Sequence, residues 1–257
     1  MSFDDSSFRW TSACRSHSGR VRQVNEDASL DQSECELWAV ADGMGGHLLG
    51  EFASRLAVQS LMDLPVAENL EQRVSTALIR LQDVNRRLRA EALRHQVPVI
   101  GTTIATLLAA GRLCTCLWAG DSRIYLYRAG RLRQLTRDHN HLEATRSRPI
   151  SGREDTMERP RKNLITHALG AEDTLHIDRT TIELMDGDVF LLCTDGLSNE
   201  VSELSIEQVL PPGICTVACD TLVEMALERG ARDNITAVVV RAEDTGADQT
   251  VLRLVPR

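Results

Sequence analysis

The segment that most constrains the fold is residues 36–47, which read Glu-Leu-Trp-Ala-Val-Ala-Asp-Gly-Met-Gly-Gly-His. Its apolar residues 37–41 predict a buried β-strand, and the glycines that follow predict a tight turn. Asp42 is therefore carried to the end of a buried strand, into a turn with room for few other side chains. Asp-Gly is also a common turn dipeptide, so the rest of the chain must decide whether Asp42 has a chemical role.

The composition and charge argue against several classes of protein. The chain has 257 residues, of which 42% are hydrophobic and 26% charged, as in ordinary globular proteins. Its net charge of -8 argues against a general nucleic-acid-binding protein, because neutralising phosphates requires a surplus of basic residues. Neither a secretory signal nor a run of about 18 apolar residues is visible, which predicts a cytoplasmic protein without membrane insertion. The seven cysteines include no C-x-x-C pair, so we expect reduced thiols and no zinc site.

Helical and strand patterns occur in separate runs, which favours an α+β fold over alternating βαβ units. Apolar residues at helical spacing predict helices over residues 53–64, 70–88, 205–210 and 217–228. Alternating or continuous apolar runs predict strands over residues 8–14, 37–41, 102–109, 112–118, 123–128, 132–136, 163–169, 176–184, 189–193 and 235–240. The turns between residues 102 and 136 are short, so the strands that they join must be antiparallel.

Four aspartates share one context, because each lies beside the end of a predicted strand. They are Asp42, Asp121, Asp195 and Asp233, and Glu26 and Asp27 add two carboxylates in an early loop. Burying several carboxylates together is unfavourable unless cations neutralise them, and oxygen ligands suit magnesium, calcium or manganese. A carboxylate that bridges two such ions, with a water between them, generates hydroxide near neutral pH. These residues alone predict a metal-dependent hydrolase.

Six short motifs occur in order along the chain. They are Arg22-x-x-Asn25-Glu26-Asp27, Asp42-Gly43-Met44-Gly45-Gly46, Gly101-Thr102-Thr103, Gly120-Asp121-Ser122-Arg123, Thr194-Asp195-Gly196 and Asp233-Asn234. With the motifs in this order, the chain resembles the metal-dependent protein phosphatases of type 2C, in their compact bacterial form, from about residue 12 to residue 241. The resemblance implies an α+β fold, a four-layer αββα sandwich in which two mainly antiparallel sheets are flanked by helix pairs.

The resemblance also implies a domain organisation. A phosphatase catalytic domain is expected over residues 8–243, with flexible tails over residues 1–7 and 244–257. Residues 137–162 correspond to the mobile flap beside the active site. The arginines of this flap could meet acidic phosphoprotein surfaces, although a charged loop is more often simply solvated. The last four residues, Leu-Val-Pro-Arg, match a thrombin recognition sequence and are left out of the fold prediction.

Two metal ions, manganese or magnesium, are implied at one end of the sandwich. Asp42 corresponds to the residue that bridges both ions, and Gly43 corresponds to the residue that contributes a backbone carbonyl. Asp195 and Asp233 correspond to ligands of one of the two ions. All of these are oxygen donors, as hard divalent cations require.

The remaining site residues have implied roles of their own. Glu26 and Asp27 approach the second ion directly or through water, and the sequence does not separate their roles. Asp121, together with Asp195, corresponds to a weaker third metal site. Arg22 corresponds to the residue that binds the substrate phosphate, a task that suits a bidentate guanidinium.

The implied reaction is the hydrolysis of phosphoserine and phosphothreonine in proteins. A metal-bridging hydroxide attacks phosphorus in line, with Arg22 and Asp42 as the catalytic residues and without a phosphoenzyme. The expected partners are phosphoproteins and a cognate bacterial Ser/Thr kinase, and the protein is expected to be a monomer.

Three features leave alternatives open. Met44 stands where eukaryotic members often have a histidine that is proposed to protonate the leaving group, so a bound water or His47 would have to replace it. Cys14 and Arg20 have the C-x5-R spacing of tyrosine phosphatases, but no apolar helix follows to lower the pKa of the thiol, and Cys14 is predicted at a strand end. A binding module that keeps the fold without the metals would have lost a ligand, whereas the aspartates of the motifs are all present.

Overall fold

The computed structural model describes residues 8–46, 48–64, 69–139, 167–211 and 213–246. Within these ranges the strands form two antiparallel sheets that pack face to face, and helices cover the outer face of each sheet. The layers therefore follow the order helix, sheet, sheet, helix. This arrangement confirms the predicted α+β sandwich.

The first sheet joins the two ends of the described chain. In spatial order its five strands are β1 (Phe8–His17), β11 (Ile235–Asp244), β10 (Val189–Cys193), β7 (Arg123–Arg128) and β8 (Arg131–Gln134). β1 and β11 pair along ten residues each, from Phe8 opposite Asp244 to His17 opposite Ile235. The apolar, β-branched start of β11 suits its central position, because both faces of that strand are covered.

The second sheet contains the buried strand that carries Asp42. Its main strands, in spatial order, are β2 (Asp27–Gln32), β3 (Leu37–Met44), β5 (Ile104–Ala110), β6 (Leu113–Ala119) and β9 (Asp178–Glu183). A two-residue strand, β4 (Gly101–Thr102), pairs with the last residues of β3. β3 is thus a central strand, which explains why its apolar run is continuous rather than alternating.

Two groups of helices cover the sheets. The second sheet is covered by α1 (Leu48–Leu61) and α2 (Leu70–His95), and the first by α3 (Asp195–Ser198), α4 (Glu203–Val209) and α5 (Cys215–Glu228). α2 begins where the Asn69 side chain accepts a hydrogen bond from Gln72 N at 3.0 Å, and it ends at Gln96 in a left-handed conformation. Within the described ranges, no helix is both long and apolar enough to cross a membrane.

Three apolar layers hold the sandwich together. The layer between the sheets contains the bulky side chains of Trp38 and Phe190, both fully buried. The layer under α1 and α2 is formed by one stripe of α2, with Leu81 and Leu88 fully buried at helical spacing. The third layer lies under the helices of the first sheet.

Three elements differ from the sequence prediction. β2 forms where the sequence predicts a loop. The prediction missed this strand because only Ala28 and Leu30 are apolar in it, and because an edge strand has a weak apolar pattern. The predicted strand over residues 102–109 is interrupted at Thr103, whose hydroxyl accepts a hydrogen bond from Asp42 N. Asp195 opens the short helix α3 immediately after its strand.

Two predicted segments lie partly outside the described residues, as do the predicted flexible tails, of which only residues 244–246 are described. Of the predicted strand over residues 163–169, the structure describes only the last three residues, and Leu169 forms an isolated bridge with Thr102. The predicted flap lies outside the described residues from position 140 onwards, together with its arginines at positions 146–161.

The stripe of α2 provides a test of this packing. Leu81→Ala is expected to lower the free energy of unfolding by about 2–5 kcal/mol, because it opens a cavity in a close-packed layer. Ile79→Ala, on the same helix and 66% exposed, is the matched control and should change that free energy by less than about 0.5 kcal/mol. Urea unfolding of both variants measures the difference. Equal losses at the two positions would contradict the proposed packing of α2.

Candidate metal centre

Antiparallel pairing brings the predicted site residues to one end of the sandwich. Strands β3, β6 and β10 end there, and strands β2 and β11 begin there. Asp27 and Asp42 are Cα partners in the ladder between β2 and β3, so their side chains emerge on the same face of the sheet. Asp121 follows β6, Asp195 follows β10 and Asp233 precedes β11, at the positions that the sequence predicts.

The backbone of Asp42 is fixed by residues of the following motifs. Asp42 N donates to Thr103 Oγ1 at 2.9 Å, and Thr103 N donates to Asp42 O at 2.9 Å. Thr102 Oγ1 donates to the same carbonyl at 2.9 Å, and the hydroxyls of Thr103 and Ser122 share a hydrogen bond of 2.8 Å. The Gly-Thr-Thr and Gly-Asp-Ser-Arg motifs therefore fix the backbone from which the Asp42 carboxylate projects.

Gly43 allows an approach that any side chain would prevent. A Cβ atom at this position would lie 2.0 Å from Gly50 O in α1 and 2.8 Å from Glu26 O. Gly43 N donates to Glu26 O at 3.1 Å. A Cβ atom at Gly50 would in turn lie 2.3 Å from Glu26 Oε1. The two glycines thus let the end of β3, the first turn of α1 and the Glu26 loop meet at one point.

The two outer aspartates have different partners. Asp195 Oδ2 accepts a hydrogen bond from Asn199 Nδ2 at 3.0 Å. Asp233 Oδ2 accepts from Arg22 Nη2 at 2.8 Å. Half of the Arg22 side chain is exposed, so its guanidinium lies at the rim of the acidic cluster.

Asn234 holds the loop after β1, residues 18–26, against the acidic cluster. The sequence does not predict this role. Its Oδ1 atom accepts from Glu26 N at 2.8 Å, and its Nδ2 atom donates to Ser18 O and Val24 O, both at 3.0 Å. Because Arg22 and Glu26 both belong to this loop, one buried amide positions the two. The only sequence signal for this role is that Asn234 belongs to the last of the six motifs, because a single buried asparagine has no periodic pattern.

Burial and mutual repulsion shift the acidity of these carboxyl groups. Burial raises the pKa of Asp42 well above its usual range, and the charges of four other aspartates raise it further. Burial also raises the pKa of Asp27 to about 7 and that of Asp121 to about 7. The fold therefore makes the ionised forms of these carboxyl groups unfavourable. A positive charge placed among them would favour the ionised forms again.

The donors present fit a divalent cation by their chemistry. Asp27 Oδ1 and Asp121 Oδ1 are buried and lack a hydrogen-bond partner within the part of the chain that the structure describes. In the same ranges no three His, Cys, Asp or Glu side chains are already arranged as a metal site. The two outer aspartates are hydrogen-bonded to Arg22 and Asn199 instead. A carboxylate that accepts one hydrogen bond retains further lone pairs, so these partners are compatible with cation binding.

Cys14 has the properties of a structural thiol. It lies within β1 rather than at a strand end, and its Sγ atom is 3.0 Å from Ser29 Oγ. Burial raises the pKa of this thiol, whereas a nucleophilic cysteine requires a lowered one. Arg20 Nε donates to Leu227 O at 2.7 Å. The C-x5-R spacing therefore does not form a thiolate site.

The remaining alternative concerns the leaving group. Met44 is the last residue of β3 and offers no proton. His47 lies outside the described residues, so its predicted role is not tested by the structure.

Comparisons with known proteins agree with this arrangement. Residues 15–231 match the family model described as Protein phosphatase 2C. The serine/threonine phosphatase stp of Listeria monocytogenes serovar 1/2a is 35% identical over 245 residues, covering 90% of this chain and 95% of the relative. These matches span nearly all of the residues that build the acidic cluster.

Solved structures share the fold and a substantial part of the sequence. PppA of Pseudomonas aeruginosa, described as a key regulatory component of T6SS, has a TM-score of 0.85 and 42% identity, covering 92% of this chain and 99% of PppA. The catalytic domain of the serine/threonine protein phosphatase PstP, in complex with two manganese ions, has a TM-score of 0.80 and 32% identity. That match covers 93% of this chain and 100% of the PstP domain.

The family model covers well over half of the chain, and the relatives cover most of it at more than 30% identity. The fold, the order of the motifs and the buried acidic cluster agree with that match and support a two-metal site. The chain belongs to the protein phosphatase 2C family and is a protein serine/threonine phosphatase.

Proposed function

We propose that the acidic cluster binds two divalent cations, manganese or magnesium. The proposed ligands are Glu26, Asp27, Asp42, the Gly43 carbonyl, Asp195 and Asp233, with Asp121 and Asp195 at a weaker third position. The observation that carries the proposal is the convergence of aspartates from both sheets, Asp27 and Asp121 buried and Asp42, Asp195 and Asp233 half-buried, which is unfavourable without cations. The two manganese ions in the PstP complex support the proposed number of two cations.

When bound, two such ions supply Lewis-acid charge and lower the pKa of a water molecule. The residues of the chain determine where the substrate binds. Arg22 is half exposed at the rim, and its planar guanidinium is suited to contact two phosphate oxygens at once. Arg22 uses one Nη2 donor for Asp233, which leaves the other N–H groups of its guanidinium to bind phosphate.

The leaving group receives its proton from water in this proposal. Met44, at the end of β3, carries no transferable proton. It stands at the position where eukaryotic members of the family often have a histidine. Asp42 acts as a metal ligand and not as an acid, because a cation among the carboxylates favours its ionised form.

The substrates are phosphoproteins, as the serine/threonine phosphatase relatives imply. We propose that a cognate bacterial Ser/Thr kinase produces these substrates, and that the enzyme acts on them as a monomer in the cytoplasm. The 42% identity with PppA favours a second, more specific setting, the regulation of a type VI secretion system. Comparing phosphoprotein levels in strains with and without the gene would separate a broad substrate set from a narrow one.

Metal dependence is the direct test of the proposed centre. Hydrolysis of a phosphothreonine peptide is expected with manganese or magnesium and should be lost in EDTA. Asp42→Asn should lower kcat/KM by roughly 100-fold or more, because it removes a ligand charge while keeping the shape of the side chain.

Asp83→Asn is the matched control for that substitution. Asp83 is exposed on α2, where it pairs with Arg86, and its loss should leave kcat/KM unchanged. Turnover that persists in EDTA, or an Asp42→Asn enzyme as active as the control, would falsify the metal proposal.

Arg22→Ala should lower kcat/KM roughly 10- to 150-fold at saturating manganese. A hydrogen bond to a charged group contributes about 1.5–3 kcal/mol, and the effect should lie mainly in KM. Arg22→Lys should recover only part of the loss, because an ammonium cannot bind bidentately. The control is Arg86→Ala, which removes an exposed arginine from α2. An unchanged KM for Arg22→Ala would remove Arg22 from the phosphate site.

Cys14→Ser tests the thiol mechanism. Phosphatase activity should stay within about twofold of the unsubstituted enzyme, because the raised pKa keeps this cysteine a neutral thiol. The measurement is the rate of phosphopeptide hydrolysis with manganese, with and without prior treatment by a thiol-alkylating reagent. Complete loss of activity in a folded Cys14→Ser protein would restore the cysteine mechanism.

A further inference from the structure

The two carboxylate oxygens of Asp27 have different surroundings. Oδ2 accepts hydrogen bonds from Thr194 Oγ1 at 2.8 Å and from Thr236 Oγ1 at 2.7 Å. Oδ1 is buried and lacks a hydrogen-bond partner among the described residues. Asp27 is only 7% exposed, and both threonines are fully buried. One oxygen is therefore fully engaged by the protein, and the other is held without a partner among the aspartates.

The direction of each hydroxyl proton follows from the surrounding donors. Thr194 Oγ1 accepts from Thr236 N at 3.0 Å, so its single proton is donated to Asp27. Asn25 Nδ2 donates to Ser16 Oγ at 2.8 Å, and the Ser16 and Thr236 hydroxyls are 2.8 Å apart. Because Thr236 donates to Asp27, Ser16 must donate to Thr236. The chain of hydrogen bonds runs from Asn25 through Ser16 and Thr236 to the carboxylate.

This arrangement joins the two sheets at the metal centre. Thr194 is the last residue before α3, and Thr236 lies in β11, where it is the Cα partner of Ser16. Ser16, Thr194 and Thr236 belong to the first sheet or its helix layer. Asp27, in contrast, opens β2 in the second sheet. The orientation of Asp27 is thus set by residues more than 160 positions away in sequence.

We infer that Thr194 and Thr236 are positioning residues that make Asp27 a single-oxygen donor. Two hydroxyl protons occupy the acceptor sites of Oδ2, which leaves Oδ1 alone to face a cation or its water. This inference rests on the proposed function, in which Asp27 approaches one ion. Neither threonine contacts the substrate or the cation directly. They act through Asp27 by preventing the carboxylate from rotating away or binding through both oxygens.

The test is manganese binding by the metal-free protein, measured by isothermal titration calorimetry. Thr236→Val and Thr194→Val remove the hydroxyl and keep the branched shape, and each should weaken manganese binding about 10- to 100-fold. Thr236→Ser and Thr194→Ser restore the hydroxyl and should recover affinity to within about threefold of the unsubstituted protein. A residue with a merely structural role would lower thermal stability without this hydroxyl-dependent change in affinity.

Thr115→Val is the matched control. Thr115 is also a buried strand threonine, 2% exposed, and its hydroxyl is 2.8 Å from that of Thr181. It belongs to β6, which β3 and β5 separate from the strand that Asp27 opens, and its partner Thr181 lies in β9. Its substitution should leave manganese affinity unchanged.

Asp27→Ala separates the two levels of the proposal. If Asp27→Ala binds manganese as the unsubstituted protein does, the assigned role of Asp27 is wrong. If Asp27→Ala weakens binding and both folded valine variants do not, the positioning role alone is overturned. Should the valine variants fail to fold, Ser16→Ala retains both threonines and should weaken binding about 2- to 10-fold. Unchanged manganese affinity in Ser16→Ala would then contradict the proposed role of these hydrogen bonds in positioning Asp27.

Discussion

Repulsion between buried carboxylates is the interaction around which this structure is organised. The ladder between β2 and β3 places Asp27 opposite Asp42, and strands of the other sheet add Asp195 and Asp233. Burial raises the pKa of Asp42 well above its usual range, and the negative charges of four neighbouring aspartates raise it further. The packing of three apolar layers must offset this cost in the metal-free protein, so affinity for cations and a large core are linked properties of one fold.

Much of the fold and part of the site could be predicted because they have periodic signals. The stripe of α2, the continuous run of β3 and the β-branched start of β11 each repeat at the period of a helix or strand. Asp42, Asp121 and Asp195 could be identified because each follows such a run beside a glycine. The six ordered motifs then gave a resemblance that the family match bears out.

The parts that could not be predicted depend on contacts distant in sequence. β2 has little apolar pattern, and its pairing of Asp27 with Asp42 is a property of register. Asn234, Thr194 and Thr236 are buried polar residues whose importance lies in their hydrogen bonds to Glu26 and Asp27. No spacing within a single segment distinguishes such residues from ordinary core positions, because their partners lie on another sheet or loop.

The pairing of β1 with β11 has a consequence for protein synthesis. Among the strands that the structure describes, β1 is translated first, yet its described strand partner β11 ends at Asp244. The loop after β1 is fixed by Asn234, which also emerges late. A nascent chain therefore leaves β1 without its strand partner until β11 has been translated. Chains that terminate before residue 233 would lack a proposed metal ligand and the strand that pairs with β1, so phosphatase activity is expected only from polypeptides translated beyond β11.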